Sequence, residues 1–372
     1  MNPQMKLQTT FASAGATQSW RARLPRLRVA GVIAAAVAFA MLAALALIAL
    51  MHVSVADALA AFADGAWGSP YAIGASINRS LAFALVGTGF VIANRASLTN
   101  VGGEGQLAIG GIVATATSLY GGCAHLPFGL SFIVPMLSAA AAGAVWGGVP
   151  GVLKAKAGTN EVISTLLLSF IAVWLLYWCV QSEALLRQPM SNAATLPESL
   201  EIPDLTKLPA IFAASGMNLN IGLPVTIVLA IASAILLART RFGLALRAVG
   251  LNAVAAKRAG LPITSSLVGA LALAGAFSGL AGALMLQGDQ YSLKAGFSSG
   301  YGFDGLVVGL LARGSIPGVF VAALLFGFLR SGGINMEMVA QVPSALVLIV
   351  QGIVTIALAG GALWLDNGGA RR

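Results

Sequence analysis

Long apolar stretches alternate with short polar segments along most of the chain, a pattern that predicts helices crossing a membrane. A helix needs about 20 apolar residues to cross a bilayer. In lipid, every backbone polar group needs a partner within the protein, which favours helices over open strands. The predicted fold class is therefore all-α integral membrane, with about ten transmembrane helices. The predicted spans are Val29–Met51, Tyr71–Ala93, Gly105–Tyr120, Ser131–Leu153, Val162–Val180, Gly222–Ala238, Ser265–Gln287, Phe303–Ala312, Pro317–Leu329 and Val342–Trp364.

Two of these spans, Gly105–Tyr120 and Phe303–Ala312, are too short to cross a bilayer and are interpreted as half-helices or broken helices. Both follow the same pattern, because Gly102–Gly110 and Gly302–Gly309 each present glycine, any residue, an acid, glycine and a short apolar run. Each opens the third span of a five-span half. We therefore expect an inverted repeat of five plus five helices, whose broken helices meet near the middle of the membrane.

The composition excludes a water-soluble surface, since 58% of the 372 residues are hydrophobic and only 9% are charged. Soluble domains carry charge on about a quarter of their residues. The formal net charge of +9 comes from basic residues scattered over many loops, without a continuous stripe. This scatter predicts no nucleic acid partner.

Basic residues fall mainly in alternate loops, which is the asymmetry that the positive-inside rule describes. With that side cytoplasmic, both termini are cytoplasmic, residues 1–28 form a basic tail and residues 29–372 form one transmembrane domain. The polar insertion at residues 181–221 then lies outside, either as a flexible connector or as a contact for an extracytoplasmic partner. Basic residues assigned to the outer loops are Arg79, Arg187, Lys207, Lys294 and Arg330.

The chain lacks the residues that most catalytic chemistry needs. Two cysteines and two histidines supply neither a disulfide framework nor a metal cluster, so no metal and no cofactor are predicted. No phosphate-binding GxxxxGK[ST] occurs, and neither G-x-S-x-G nor H-E-x-x-H is present. A membrane-embedded enzyme is therefore disfavoured, and transport energy must come from a partner protein or from an ion gradient.

The loop at residues 239–261 is predicted to contain a short surface helix. Its small and apolar residues recur at intervals of three and four, at Leu246, Val249, Ala253 and Ala256. Arg247 and Lys257 fall on other faces. This spacing fits equally a helix resting on anionic lipid and a docking helix for a soluble protein.

The run "RFGLALRAVGLNAVAAKRAGL" in this loop resembles the coupling-helix region of permeases in the branched-chain amino acid, ribose and nucleoside class of ABC importers. The likeness continues in family order through "NVGGEGQLAIGG", "GTNEVISTLLLSFIA" and "YGFDGLVVGLLARGSIPGVFVAALLFGFLRSGG" to "VPSALVLIVQGIV". The "GGEGQ" wording is similar to the nucleoside, or simple-sugar, branch. The chain departs from the family at Ser169, near the position of a usual asparagine, and in the segment "ARGSIP".

The resemblance implies the pore-forming permease subunit of a bacterial inner-membrane importer for a nucleoside or simple sugar, working by alternating access. It implies a cytoplasmic ABC ATPase with tandem fused nucleotide-binding domains, a second and non-identical permease subunit, and an extracytoplasmic binding lipoprotein. The residues that it implies for coupling to the ATPase are Arg247, Gly250, Asn252, Ala256 and Gly260.

Acidic residues within a bilayer are expensive, so they must line a wet cavity, pair with a partner or lie at a helix end. If the inverted repeat holds, the polar residues that surround or support the solute pathway are Asn100, Glu104, Gln106, Asn160, Glu161 and Asp304. Capping of a broken helix is the alternative for the acids. The rival function is an ion-coupled secondary transporter that binds protons at Glu104 and Asp304.

Overall fold

The computed structural model describes residues 34–35, 38–39, 41–127, 129–189, 197–212, 215–343, 345–349, 351–353 and 356. Within these residues the regular elements are helices, and strand pairing is limited to isolated bridges. The helices are α1 Met41–Leu50, α2 Val55–Trp67, α3 Pro70–Asn94, α4 Gly103–Tyr120, α5 Leu130–Ala157, α6 Glu161–Gln181, α7 Gly222–Arg239, α8 Arg241–Leu251, α9 Ala253–Arg258, α10 Ile263–Met285, α11 Tyr301–Leu311 and α12 Ile316–Ala340. The predicted all-α class is confirmed for this part of the chain.

Six of the described helices are long and apolar enough to cross a membrane: α3, α5, α6, α7, α10 with the π-helical turn that extends it to Gln290, and α12. The predicted shortness of the span Phe303–Ala312 is confirmed, because α11 has only 11 residues. The other span predicted to be too short, Gly105–Tyr120, is the 18-residue helix α4, so that prediction was wrong. The N-terminal tail 1–28 lies outside the described residues, as do parts of the predicted spans Val29–Met51 and Val342–Trp364. The total of ten spans stays a prediction.

The predicted end of the span Pro317–Leu329 was wrong, since α12 continues to Ala340. The prediction ended the span before Arg330, which it assigned to an outer loop. In the structure, Arg79 Nη1 donates a 2.6 Å hydrogen bond to Ser331 Oγ, and Gly332 lies against the ring of Phe62. These contacts with α3 and α2 hold the polar segment inside a continuous helix.

The described residues belong to two compact units. One draws on Met1–Ala61 and Met336–Arg372 and includes α1; the other is Phe62–Asn335. In the second unit, α3 and α10 are the most deeply buried of the long helices. Helix α10 packs against α5 through a seam of facing glycines at Gly143, Gly147, Gly275 and Gly279, where a β-carbon on any of them would collide with the opposing backbone. This is the close packing that the small-residue spacing predicts.

The insertion at residues 181–221 is attached to the end of α10 over its described part. Backbone N–H groups of Ile202 and Leu208 donate to the carbonyls of Tyr291 and Gln287, and Gln287 Nε2 donates to the Thr206 carbonyl at 2.7 Å. The segment is therefore fixed to the helical unit by its own hydrogen bonds. Its extracytoplasmic location stays a prediction.

Candidate functional site

The first turns of the 18-residue helix α4 and of the short helix α11 meet each other. The backbone of Gly302 packs against Gly103 and Glu104, leaving no room for a β-carbon. Glu104 Oε1 accepts a hydrogen bond from the Gly300 N–H at 2.9 Å, and Oε2 accepts one from the Gly302 N–H at 2.7 Å. A carboxylate at a helix N-terminus satisfies N–H groups that have no partner within the helix and complements the helix dipole. Glu104 thus caps α11.

Asn100 and Gln106 are buried and pair with each other. Asn100 Nδ2 donates to Gln106 Oε1 at 2.9 Å, and Asn100 Oδ1 also accepts from the Gly102 N–H. The hydroxyl of Ser169, which departs from the family pattern, is buried and accepts from the Gly105 N–H at 3.3 Å. These side chains stabilise the turn that leads into α4. Asn100 and Gln106, which the sequence predicted to contact the solute, thus use their polar groups to bond each other and the backbone.

Asn160 and Glu161 form the start of α6. Asn160 Oδ1 accepts from the Val162 N–H at 2.9 Å, which is an ordinary N-cap. Glu161 makes a 2.8 Å ion pair with Lys154 at the end of α5. Both residues therefore hold the α5–α6 connection, and their polar groups are engaged there.

Asp304 differs from the other predicted pathway residues. It lies in the first turn of α11, is half-buried, and its Oδ2 has no hydrogen-bond partner among the described residues. Carboxylate oxygens that are buried without a partner are expensive, and within a membrane they mark a functional site by default. Asp304 is the strongest candidate of the predicted set for solute contact.

Two arginines that the sequence interpretation placed in outer loops lie inside membrane helices instead. Arg79 belongs to α3 and Arg330 to α12, and both are half-buried. The Arg330 guanidinium lies 5.1 Å from the ring centre of Tyr301, and that ring stacks on Phe83 at 4.7 Å. The sequence could have indicated this placement, because both arginines stand within apolar runs. A cation in such a run needs a polar partner.

The predicted surface helix is two helices, α8 and α9, with a break at Asn252. Thr240 caps α8, and Asn252 Oδ1 caps α9 by accepting from the Ala255 N–H at 3.0 Å. Leu246, Val249 and Ala256, which the spacing placed on one face, are buried, whereas Ala253 is exposed because the break turns α9 away from the α8 register.

The predicted coupling residues divide into two groups. Arg247 and Asn252 are exposed. Ala256 is buried, so its side chain is not available to a partner, and Gly260 ends α9 with a φ of 77°. Gly250 packs against the backbone of Arg95, next to Ser97, and its carbonyl accepts from Ser97 Oγ at 2.8 Å. Gly250 thus joins α8 to the end of α3.

Sequence reasoning missed the exposed apolar residues of this loop. Leu251 is 89% exposed and Val254 64% exposed, at the junction of α8 and α9. Two adjoining cavities of about 280 and 320 Å³ lie beside it and share Arg95, Arg247 and Gly314 in their linings. We call Leu251 and Val254 the apolar knob. Apolar side chains exposed at this position are available to lipid or to a partner protein.

Six helices in the described part of the chain that are long and apolar enough to cross a bilayer define a multi-pass membrane protein. The chain belongs to the family described as branched-chain amino acid transport system / permease component, whose model matches residues 72–359. No solved structure matches it.

Three relatives illustrate the branch. The guanosine ABC transporter permease protein NupP of Bacillus subtilis is 34% identical, over 86% of this chain and 90% of its own length. The glucose ABC transporter permease protein TsgB13 of Haloferax volcanii is 33% identical, over 75% and 74%. The nucleoside ABC transporter permease protein NupB of Lactococcus lactis is 30% identical, over 77% and 80%. The resemblance to the nucleoside branch is confirmed.

Proposed function

We propose that this chain is the transmembrane permease subunit of an ATP-binding-cassette importer that carries a nucleoside or a simple sugar by alternating access. The family match over residues 72–359 and the relatives named for guanosine, glucose and nucleosides support the class. The sequence contains no phosphate-binding loop, so hydrolysis of ATP falls to a partner.

The proposed topology has ten spans in a bacterial inner membrane, with both termini cytoplasmic and two inverted halves of five spans. The contact of Gly302 with Gly103 and Glu104 supports it, because inverted repeats bring the ends of their broken helices together near the midplane. Cysteine labelling at Ala255 and at Leu205 with a membrane-impermeant reagent tests it. Ala255 should react only from the cytoplasmic side and Leu205 only from the outer side.

The proposed partners are a cytoplasmic ATPase with tandem fused nucleotide-binding domains, a second permease subunit and an extracytoplasmic binding lipoprotein. The observation that carries the ATPase assignment is the apolar knob, since Leu251 and Val254 are exposed where the family has its coupling helix. In this mechanism, ATP moves the ATPase domains together, and α8 and α9 move with them. Gly250 passes the movement to α3, because its backbone touches that of Arg95.

Substitution Leu251→Asp tests the docking surface directly. A charge on the knob should abolish copurification of the ATPase and lower ATP-driven uptake about tenfold or more, since a carboxylate is strongly disfavoured in an apolar contact. Leu205→Asp is the matched control, because Leu205 is 64% exposed on the described part of the 181–221 insertion. It should leave ATPase copurification unchanged. Normal ATPase binding by Leu251→Asp would contradict the assignment.

The ion-coupled carrier predicts the opposite response to inhibitors. Uptake by an ATP-driven importer should stop with vanadate and persist with a protonophore. The capping role of Glu104 weakens the carrier hypothesis, because both carboxylate oxygens are already engaged by backbone N–H groups. Uptake by the purified chain alone on a proton gradient would restore that hypothesis.

A further inference from the structure

Three buried polar atoms without a hydrogen-bond partner among the described residues lie in one region of the membrane helices: Arg79 Nε, Asp304 Oδ2 and Arg330 Nε. Arg79 Nε lies 3.8 Å from Asp289 Oδ2, a distance that is too long for a hydrogen bond. Leaving charged groups incompletely bonded in a buried place costs stability. Charged groups of this kind are therefore expected where a bound solute completes their hydrogen bonds.

Contacts between α3, α11 and α12 join these side chains into one cluster. Arg330 lies over Tyr301, the first residue of α11, and Asp304 follows in the same helical turn. Arg79 bonds Ser331, the neighbour of Arg330 on α12. The cluster therefore lies at the N-terminal end of the half-helix α11, where transporters built from broken helices hold their solutes.

We propose that Arg79, Asp304 and Arg330 form a solute-contact site that bonds neighbouring hydroxyl groups of a sugar ring. A hydroxyl donates one hydrogen bond and accepts others, so a pair of adjacent hydroxyls can donate to Asp304 and accept from the guanidinium groups. This inference rests on the proposed function and names the part of the solute that the subunit recognises.

The charge of the cluster favours a neutral solute over an anion. The guanidinium groups of Arg79 and Arg330 are accompanied by the carboxylates of Asp289 and Asp304. A phosphate would be repelled by the two carboxylates as well as attracted by the two guanidinium groups. Hydroxyl groups are neutral and can bond to both kinds of group. Nucleotides are therefore disfavoured relative to nucleosides and sugars.

The aromatic residues of the cluster do not offer a stacking surface. Tyr301 is only 6% exposed, and its ring is covered by Phe83 and by the Arg330 guanidinium. Recognition of a nucleobase usually uses a free aromatic face together with hydrogen bonds. The site thus bonds the sugar part of the solute. A sugar ring with adjacent hydroxyl groups is common to guanosine and glucose, for which two of the relatives are named.

Cysteine protection tests the site in the assembled transporter. Asp304→Cys in a background with Cys123→Ala and Cys179→Ala should react with an anionic methanethiosulfonate reagent in the transporting complex, because a solute site must open to water during transport and the two remaining guanidinium groups attract an anion. Guanosine, cytidine or glucose, whichever the wild type transports, should slow the reaction about tenfold. The matching 2′,3′-dideoxynucleoside should not. Lack of labelling, or equal protection by nucleoside and dideoxynucleoside, overturns the proposal.

Val321→Cys is the control for labelling. Val321 is 72% exposed and lies about 2.5 turns from Arg330 on α12, on the opposite side of the helix. A charged reagent should not reach it if that face is covered by lipid. Fast labelling at both positions would show that the reagent reports general access, and the site would then lose its support.

Transport by charge-neutral variants gives a second readout. Asp304→Asn and Arg330→Gln should each lower uptake per ATP hydrolysed about tenfold, which loss of one charged hydrogen bond explains. Asp204→Asn, on the surface insertion, removes the same charge and should change nothing. If the wild-type complex moves no nucleoside or sugar, the proposed function fails. If it does and Asp304→Asn transports normally, only the site fails.

Discussion

At the scale of single residues, two acids in the same sequence context do different work. Glu104 and Asp304 each occupy the acid position in the pattern glycine, any residue, acid, glycine, yet Glu104 is bonded to Gly300 and Gly302 while Asp304 Oδ2 has no partner among the described residues. The difference depends on which backbone lies opposite, and the partner Gly300 is 196 positions away from Glu104. The motif therefore predicted that both acids have a function, but it could not distinguish the capping acid from the acid without a partner.

The capping role of Glu104 predicts a loss of stability on Glu104→Gln. The amide keeps one acceptor oxygen but turns an NH₂ group towards a backbone N–H, so the permease should lose about 2 kcal/mol of unfolding free energy. Thermal unfolding of the purified protein in detergent measures this loss. Glu183→Gln, at an exposed position, should melt like the wild type. Unchanged melting of Glu104→Gln together with lower uptake would favour a pathway role instead.

The burial of the cysteines predicts slow thiol chemistry. Cys123 is 1% exposed and Cys179 7% exposed, and burial raises the pKa of the Cys123 thiol. Since the thiolate is the reactive form, a raised pKa lowers its fraction near neutral pH, and the reaction should quicken only as pH rises. Mass spectrometry after maleimide treatment should find both cysteines unmodified in the native protein and modified in denaturant. Rapid native modification would contradict their buried placement.

At the scale of helices, sequence patterns predicted where the long apolar elements lie and how tightly some of them pack. They missed features that depend on distant contacts. The extension of α12 needs Arg79 and Phe62 from other helices, and the α8–α9 break depends on Asn252 bonding the next turn instead of continuing the helix. Apolar periodicity contains no information about either contact, so the end of α12 was predicted wrongly and the α8–α9 break was not predicted.

The glycine seam between α5 and α10 predicts a sharp contrast between two substitutions on one helix. A β-carbon at Gly143 would collide with the backbone of Gly275, whereas one at Gly148 would meet only Ala272 at 3.8 Å. Gly143→Ala should therefore destabilise the protein by about 1–3 kcal/mol through overpacking. Gly148→Ala should be neutral or slightly stabilising, because alanine is the better helix former. Equal melting temperatures for the two variants would show that the helices are not in close contact.

At the scale of the whole molecule, the described contacts make a continuous path from the proposed ATPase surface to the proposed solute site. The knob residue Leu251 follows Gly250, and Gly250 touches Arg95 at the end of α3. Helix α3 then runs through the unit to Arg79 and Phe83, which contact Ser331 and Tyr301. A rigid helix between two sites is a physical means of coupling them, although coupling itself needs a measured effect of one site on the other.

Gly250→Ala tests this path at its narrowest point. A β-carbon there would lie 2.5 Å from the Arg95 carbonyl oxygen, so α8 must shift away from α3. Because Gly250 is not part of the apolar knob, the ATPase should still copurify and hydrolyse ATP. Uptake per ATP hydrolysed should fall about fivefold, a coupling loss of about 1 kcal/mol. Gly148→Ala makes the same chemical change in open space and should keep the wild-type ratio. Normal uptake by Gly250→Ala would mean that movement of α8 reaches the solute site by another route than α3.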